Sequence, residues 1–307
     1  MHHNNTDSLT ATVLKEVLKE TKSLHRWRLF GRFIWFLIII MIIFLVAGAS
    51  ENKEKDSLSP HIAVVSLHGV ISQGSDASVE NFIPLLEKAF KEKNAKTIFI
   101  DANSPGGSPV QSAIINDAIA RLKIKYPKPV VAVISDLCAS GCYYAIAGVD
   151  KIISHQASIV GSIGVRLESF DLRGLMEKIG VKQRLLTAGE NKAIINPFGE
   201  LTQQNKQHLQ DLIDKSHAEF ITAVERGRGS KLDETNPDLF SGLVWIGTDS
   251  VDLGLVDELS DIYNEAENYD TSKLVRYEKE QTFYEQLLNA ISGFGLQTYS
   301  SIQAKYQ

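Results

Sequence analysis

Val130-Val131-Ala132-Val133-Ile134-Ser135-Asp136-Leu137-Cys138-Ala139-Ser140-Gly141-Cys142-Tyr143-Tyr144 decides the fold. Its first six residues form an apolar, β-branched run of strand length, and Cys142 to Gly148 reads as a helix. Ser140 falls at the turn between them. Working outward, strand-like and helix-like stretches alternate: Ile62–Val70, Val79–Lys93, Thr97–Ala102, Ser108–Lys123, Val130–Ser135, the Cys142 helix, then Lys151–Ser154. Such alternation with short turns predicts a largely parallel sheet with helices on both faces and right-handed crossovers. In sheets of this kind functional groups gather at the carboxyl ends of strands. Gly106-Gly107 and Ser140 both stand there. Beyond Phe170 the pattern turns helical, over Leu172–Ile179 and then Thr202–Arg226, where Leu209, Leu212, Ile213, Phe220, Ile221 and Val224 recur at helical spacing as a core face.

The chain has 307 residues, a formal net charge of −5 and 44% hydrophobic residues, enough for one large domain or two small ones and too apolar for general disorder. Phe33 to Ala49 is apolar and uncharged, and with Leu29–Gly31 it approaches the ~20 residues that span a bilayer. A buried core helix would show a polar face, and this stretch shows none. Ala47-Gly48-Ala49 also fits a signal-peptide cleavage site, although the preceding segment is longer than an ordinary n-region. Lys15, Lys19, Lys22, Arg26, Arg28 and Arg32 precede the span, so positive-inside orientation places the N-terminus in the cytoplasm and residues 50–307 outside. The expected plan is a cytoplasmic tail (1–28), a transmembrane anchor (29–49), a linker (50–60), a catalytic domain (61–265) and a C-terminal helical extension (266–307). The mildly acidic soluble part argues against a nucleic-acid surface.

A serine hydroxyl needs a base within hydrogen-bond reach before it can act as a nucleophile. His61, His68, His155, His208 and His217 are the histidine candidates; His155 lies nearest in sequence but reads more simply as a strand-end residue. Lysine serves instead if burial keeps it neutral. Lys192 follows Gly189-Glu190-Asn191 and precedes Ala193-Ile194-Ile195, which would exclude water around it in the folded domain; the alternative is a solvated surface lysine. Asn103-Ser104-Pro105-Gly106-Gly107-Ser108 can aim backbone N–H groups at a developing negative charge, with the N–H of Gly141 as second donor. It lacks the Lys-Ser/Thr ending of a phosphate loop. Within Val160-Gly161-Ser162-Ile163-Gly164-Val165, the Ser162 hydroxyl could orient a neutral lysine. Cys138 and Cys142 flank Ser140; four residues across a strand-to-helix turn match disulfide geometry poorly, so two buried thiols are expected. No histidine and cysteine pair at metal-ligand spacing, and no cofactor is expected.

Taken in order, Asn103-Ser104-Pro105-Gly106-Gly107, Ala139-Ser140-Gly141-Cys142-Tyr143-Tyr144, Val160-Gly161-Ser162-Ile163-Gly164-Val165, Val244-Trp245-Ile246-Gly247 and Leu253-Gly254-Leu255-Val256-Asp257 closely resemble the signal peptide peptidase A family over residues 60–265. The resemblance implies an α/β fold of stacked βα units like that of Clp protease and the crotonases, preceded by a single N-terminal transmembrane helix. It implies Ser140 as nucleophile, Lys192 as general base, Ser162 bonded to that lysine, and Gly107 as oxyanion donor beside the N–H of Gly141; Lys182, on a predicted strand, is the fallback base. It further implies membrane-tethered homo-oligomeric rings that enclose their active sites and degrade remnant signal peptides, outside the bacterial inner membrane. The expected function is thus a membrane-anchored Ser/Lys endopeptidase with peptide substrates, most active as the lysine deprotonates, and with Leu137, Tyr143 and Ile163 as candidate specificity residues. A catalytically silent scaffold of the same fold and a crotonase-like acyl-CoA enzyme are the alternatives.

Overall fold

In the computed structural model, residues 30–41 and 59–279 are described. The chain divides into two units, Met1–Leu58 with Gln281–Gln307, and Ser59–Glu280. Of the first, residues 30–41 are helical with largely exposed side chains. Among the described residues no helix is long and apolar enough to cross a membrane. The expected tail, residues 29 and 42–49 of the expected anchor, residues 50–58 of the expected linker, and residues 280–307 lie outside the described residues.

The second unit is built on parallel strands whose alternating side chains supply two cores. β1 (His61–His68), β2 (Ala95–Ser104) and β3 (Val130–Ala139) pair in parallel, joined by α1 (Val79–Lys91) and α2 (Pro109–Lys125). Ala63, Val65, Leu67, Ile98, Ile100, Ala132 and Ile134 enter the larger core with Phe82, Leu86 and Phe90 of α1 and Ile115 and Ile119 of α2. The period of two sends Ile62, Val64, Phe99, Val131 and Val133 to the other face, where they form a smaller core with Ile153 and Ala266. Burying each of the larger apolar side chains contributes roughly 1.5–3 kcal/mol. Ser108 caps α2 by accepting from the Gln111 N–H, and Pro109 stands at the start of that helix, where its missing N–H costs nothing.

The element order continues with α3 (Gly141–Ile146), β4 (Lys151–Ser154), β5 (Ile159–Gly161), α4 (Arg173–Lys178), α5 (Gln203–Arg228), β6 (Val244–Ile246), α6 (Gly247–Asp252), β7 (Glu258–Leu259), α7 (Ile262–Ala266) and β8 (Leu274–Tyr277). The sheet runs β6-β5-β3-β2-β1-β8, with β4 beside β3 and β7. Only the β5–β6 pair is antiparallel among the described strands. β3 is four residues longer than its apolar run suggests. It pairs with β4 through Val131–Ile134 and, past the exposed Asp136, with β5 through Leu137–Ala139.

Three expectations need correction here. Residues 266–279 are not a helical extension, because Leu274–Tyr277 pairs with Ile62–Val65 as β8 and the sheet therefore reaches beyond residue 265. Lys182 lies in irregular chain and not on a strand. On α5, Phe220, Ala223 and Val224 of the C-terminal half join the larger core, whereas in the N-terminal half Leu212 is exposed and Leu209, though buried, is not part of that core. No residue between Ile163 and Leu209 is buried.

The C-terminal half of α5 is locked to the nucleophile helix and the sheet. The rings of Tyr144 and Phe220 stack at 4.8 Å, and a side chain at Gly227 would collide with the Ala147 carbonyl. Arg228, 3% exposed, donates from Nη1 and Nη2 to Asp257 at 2.9 and 3.0 Å, and Asp257 accepts from the Ile152 N–H at 2.7 Å. Burial works to raise the Asp257 pKa, but the hydrogen bonds from Arg228, Lys231 and Ile152 outweigh it and hold the carboxyl at about 2. Asp257→Ala, which strands a buried guanidinium, should cost roughly 3–5 kcal/mol of stability by denaturant titration. Since the folded pKa lies below the unfolded one, this contribution is complete above about pH 4 and lost as pH falls toward about 2. An acid-unfolding midpoint that does not move in Asp257→Ala would contradict the linkage.

Candidate active site

Ser140 stands between β3 and α3 with φ 54° and ψ −124°, a backbone that L-residues rarely adopt. Its N–H donates to the Gly161 carbonyl at 2.8 Å, and its own carbonyl accepts from the Tyr144 N–H at 3.0 Å. The elbow is thereby tied to β5 on one side and starts α3 on the other. Asn116, buried in α2, donates to the Tyr144 carbonyl at 3.0 Å and accepts from Arg226 at 2.9 Å, so α5 also steadies α3. The Ser140 hydroxyl is half-buried and has no hydrogen-bond partner among the described residues.

The turn after β2 packs against this elbow. The Ser104 hydroxyl accepts from the Gly106 N–H at 3.1 Å, Gly106 accepts from the Ile71 N–H at 2.9 Å, and the Ser108 N–H donates to Ile71 at 2.7 Å. Gly106 and Gly107 both have positive φ, 91° and 155°. A methyl group on Gly106 would lie 2.6 Å from the Ala139 oxygen and the Gly141 nitrogen and 2.9 Å from Cβ of Ser140. One on Gly107 would collide with the Ile71 carbonyl, and one on Gly141 would lie 3.0 Å from the Gly107 nitrogen. Only glycines permit this approach. The N–H groups of Gly107 and Gly141, brought together beside Ser140, have no hydrogen-bond partner among the described residues. Two such donors are what a developing oxyanion requires.

Ser162, with φ 53°, follows the glycine that anchors Ser140, and its N–H donates to the Leu243 carbonyl at 2.7 Å. His217 on α5 bonds the Ile163 carbonyl through Nε2 at 3.0 Å. Its role here is to hold this segment. His155 accepts the Ala157 N–H, His61 bridges Ser59 and Tyr277, and His68 approaches Asp101 at 3.3 Å; none of the candidate histidines bonds Ser140. Tyr143 and Ile163 do not line an open pocket. Both are buried, and the Tyr143 phenol, its pKa raised by burial, donates to the Leu255 carbonyl at 2.8 Å.

Lys192 is exposed in a turn closed by its N–H on the Gly189 carbonyl at 3.2 Å, and its amine has no partner among the described residues. The apolar shelter expected from Ala193-Ile194-Ile195 is absent: Ala193 and Ile194 are only part-buried and Ile195 is exposed. Within one chain, Ser140, Gly107 and Gly141 are brought together, while the Lys192 amine makes no hydrogen bond to Ser140 or Ser162. Lys182 is also exposed.

The cysteines also need correction. Cys138 and Cys142 form a disulfide, with Cα atoms 5.2 Å apart and both residues fully buried. Four residues of extended chain would separate them by about 13 Å, but the left-handed turn at Ser140 folds the helix back toward the strand. Among the described residues no group of three or more His, Cys, Asp or Glu side chains is placed to hold a metal ion.

Comparison with known proteins agrees with the motif order. Residues 123–275 match peptidase family S49. The chain is 42% identical over 211 residues to "Na(+)/H(+) antiporter NhaA" of Brucella abortus, covering 67% of this chain but 28% of that protein. It is 29% identical over 217 residues to "Putative signal peptide peptidase SppA" of Enterococcus faecium, over 68% of this chain and 62% of the relative. The chain therefore spans less than two thirds of the length of both these relatives. It is 32% identical over 205 residues to "Putative protease slr0021" of Synechocystis, over 67% of this chain and 72% of that one. With a relative matched over most of its length, a family profile and the glycine-lined serine elbow in agreement, the chain belongs to peptidase family S49, the signal peptide peptidase A family.

Proposed function

We propose that this chain is a membrane-tethered serine endopeptidase acting on short apolar peptides such as released signal peptides. The observation that carries the reading is the convergence of two unpartnered N–H groups, from Gly107 and Gly141, on a serine held at positive φ. Ser140 Oγ attacks the peptide carbonyl carbon while Lys192, as the neutral amine, takes the hydroxyl proton. The Gly107 and Gly141 N–H groups stabilise the tetrahedral oxyanion, whose collapse expels the amine product with the proton returned by Lys192. Water, deprotonated by the same lysine, then hydrolyses the acyl-enzyme. Ser162 orients the lysine.

In this reading the base arrives from a second copy of the chain. Between Ile163 and Leu209 nothing is buried, and Phe170, Leu175, Ile179, Leu185 and Leu186 are at least half exposed, apolar side chains that a partner surface would cover. Covering this segment with a second copy would bury Lys192 and present it to a neighbour's Ser140, which is how a homo-oligomeric ring would complete the site. The disulfide supports placement of the domain in an oxidising compartment, outside the inner membrane, with the apolar run ending at Ala49 as the tether.

A fluorophosphonate probe should label the wild type and not Ser140→Ala, and each of Ser140→Ala and Lys192→Ala alone should lose at least ~10³-fold in peptide cleavage. Mixed and reassembled, the two inactive chains should regain a measurable share of wild-type rate. Absence of recovery in mixed oligomers would place the base in the same chain, and absence of labelling would favour a silent scaffold. Gly107→Ala should lower kcat by roughly 10²–10³-fold, the loss typical of one oxyanion donor; retention of full kcat would remove that turn from the mechanism. Alkaline carbonate extraction should leave the full chain in the membrane pellet, and its release into the supernatant would overturn the tether.

A further inference from the structure

The bridge between Cys138 and Cys142 encloses the proposed nucleophile, with two residues of offset on either side of Ser140. Cys138 lies in β3, where it is flanked by Ser104 of β2 and Val160 of β5. Cys142 is the second residue of α3. One sulfur is therefore fixed to the strands that carry the oxyanion turn and the Gly161 anchor, and the other to the helix that follows the serine. Both are fully buried, so the bond is shielded from solvent reductants.

The conformation at Ser140 needs such help. A backbone at positive φ is ordinarily given to glycine, yet an attacking hydroxyl requires a side chain here. Such a conformation persists only where its surroundings over-determine it. The Gly161 carbonyl holds one side of the residue, and Tyr144 holds the other through the first turn of a helix only six residues long. A covalent link spanning the same five residues restrains both sides together. Because the closed loop is so short, the bond removes little freedom from the unfolded chain compared with a bridge between distant segments. Its effect is concentrated on the elbow. We infer that the Cys138–Cys142 disulfide is a positioning device, which holds the Ser140 hydroxyl in register with the Gly107 and Gly141 N–H groups. This inference rests on Ser140 being the nucleophile.

The test uses the full chain. Mass analysis of a digest should find the peptide containing both cysteines two hydrogens lighter than the dithiol form. Cys138→Ala/Cys142→Ala should lower kcat roughly 10–100-fold, the loss expected from a nucleophile displaced by a fraction of an ångström to an ångström, while KM stays within about two-fold. The rate of fluorophosphonate labelling should fall in proportion, with circular dichroism showing the variant folded at the assay temperature. In a second arm, the wild type is reduced by dithiothreitol in denaturant and refolded without oxidant. Reduction breaks the S–S bond, adds one hydrogen to each sulfur and leaves the reagent as its cyclic disulfide. The refolded dithiol should show the same selective loss of kcat and recover on reoxidation. Free thiols in the wild type, unchanged kcat in both arms, or a loss that follows the unfolded fraction would each overturn the inference; a double variant that fails to fold, with a reduced wild type that does likewise, would make the bond a general staple instead. A wild type that is not labelled at Ser140, or a Ser140→Ala chain that keeps its activity, would overturn the nucleophile reading itself and is told apart by that control.

Discussion

The approach of Gly106 to the peptide groups on either side of Ser140 is the constraint on which the rest of the site depends. Parallel pairing of β2 and β3 brings their carboxyl ends side by side, with a register shift between Ala102 and Ser104 just before the Gly-Gly loop. A single Cβ at Gly106, Gly107 or Gly141 would force the two turns apart or push the loop off Ile71. Because the backbones touch, two amide N–H groups without partners among the described residues, those of Gly107 and Gly141, lie close together beside Ser140. Such preorganised dipoles need no rearrangement as charge develops.

Around this contact the fold supplies rigidity in layers. Ser104 and Ile71 fix the glycine turn; Gly161, Tyr144 and the disulfide fix the serine; Asn116, Tyr143 and Phe220 fix the helix behind it. The Arg228–Asp257 pair then ties α5 to the strand that ends at Ser154. Burial stops at Ile163 and resumes only at Leu209. The following segment carries Lys192, exposes apolar side chains and buries no residue before Leu209. A neutral lysine needs exclusion of water, which one chain leaves unprovided at this position.

Much of the architecture was legible because the signals were local. The apolar runs of β1, β2 and β3, the Ser108-Pro109 helix start and the glycine pairs each declare themselves within a few residues. Other features depended on distant partners. β3 continues past the exposed Asp136 because β5 arrives to pair with Leu137–Ala139, and Leu274–Tyr277 is a strand only because the edge of β1 is open to it. Tyr143 and Ile163, placed near Ser140 by sequence distance, turn into the core because strand and helix geometry point them there.

By itself the sequence determined the alternation of strands and helices, the serine elbow, the glycine turn and the family to which the motif order belongs. The tertiary structure decided which of those pieces meet. It joined Gly107 and Gly141 beside Ser140, and it closed Cys138 onto Cys142, where spacing alone argued for two separate thiols. It also left Lys192 in solvent within one chain. The physical reason is the same in each case: backbone propensity and hydrophobic period are written over a few residues, whereas distance and burial arise only when remote segments are packed together.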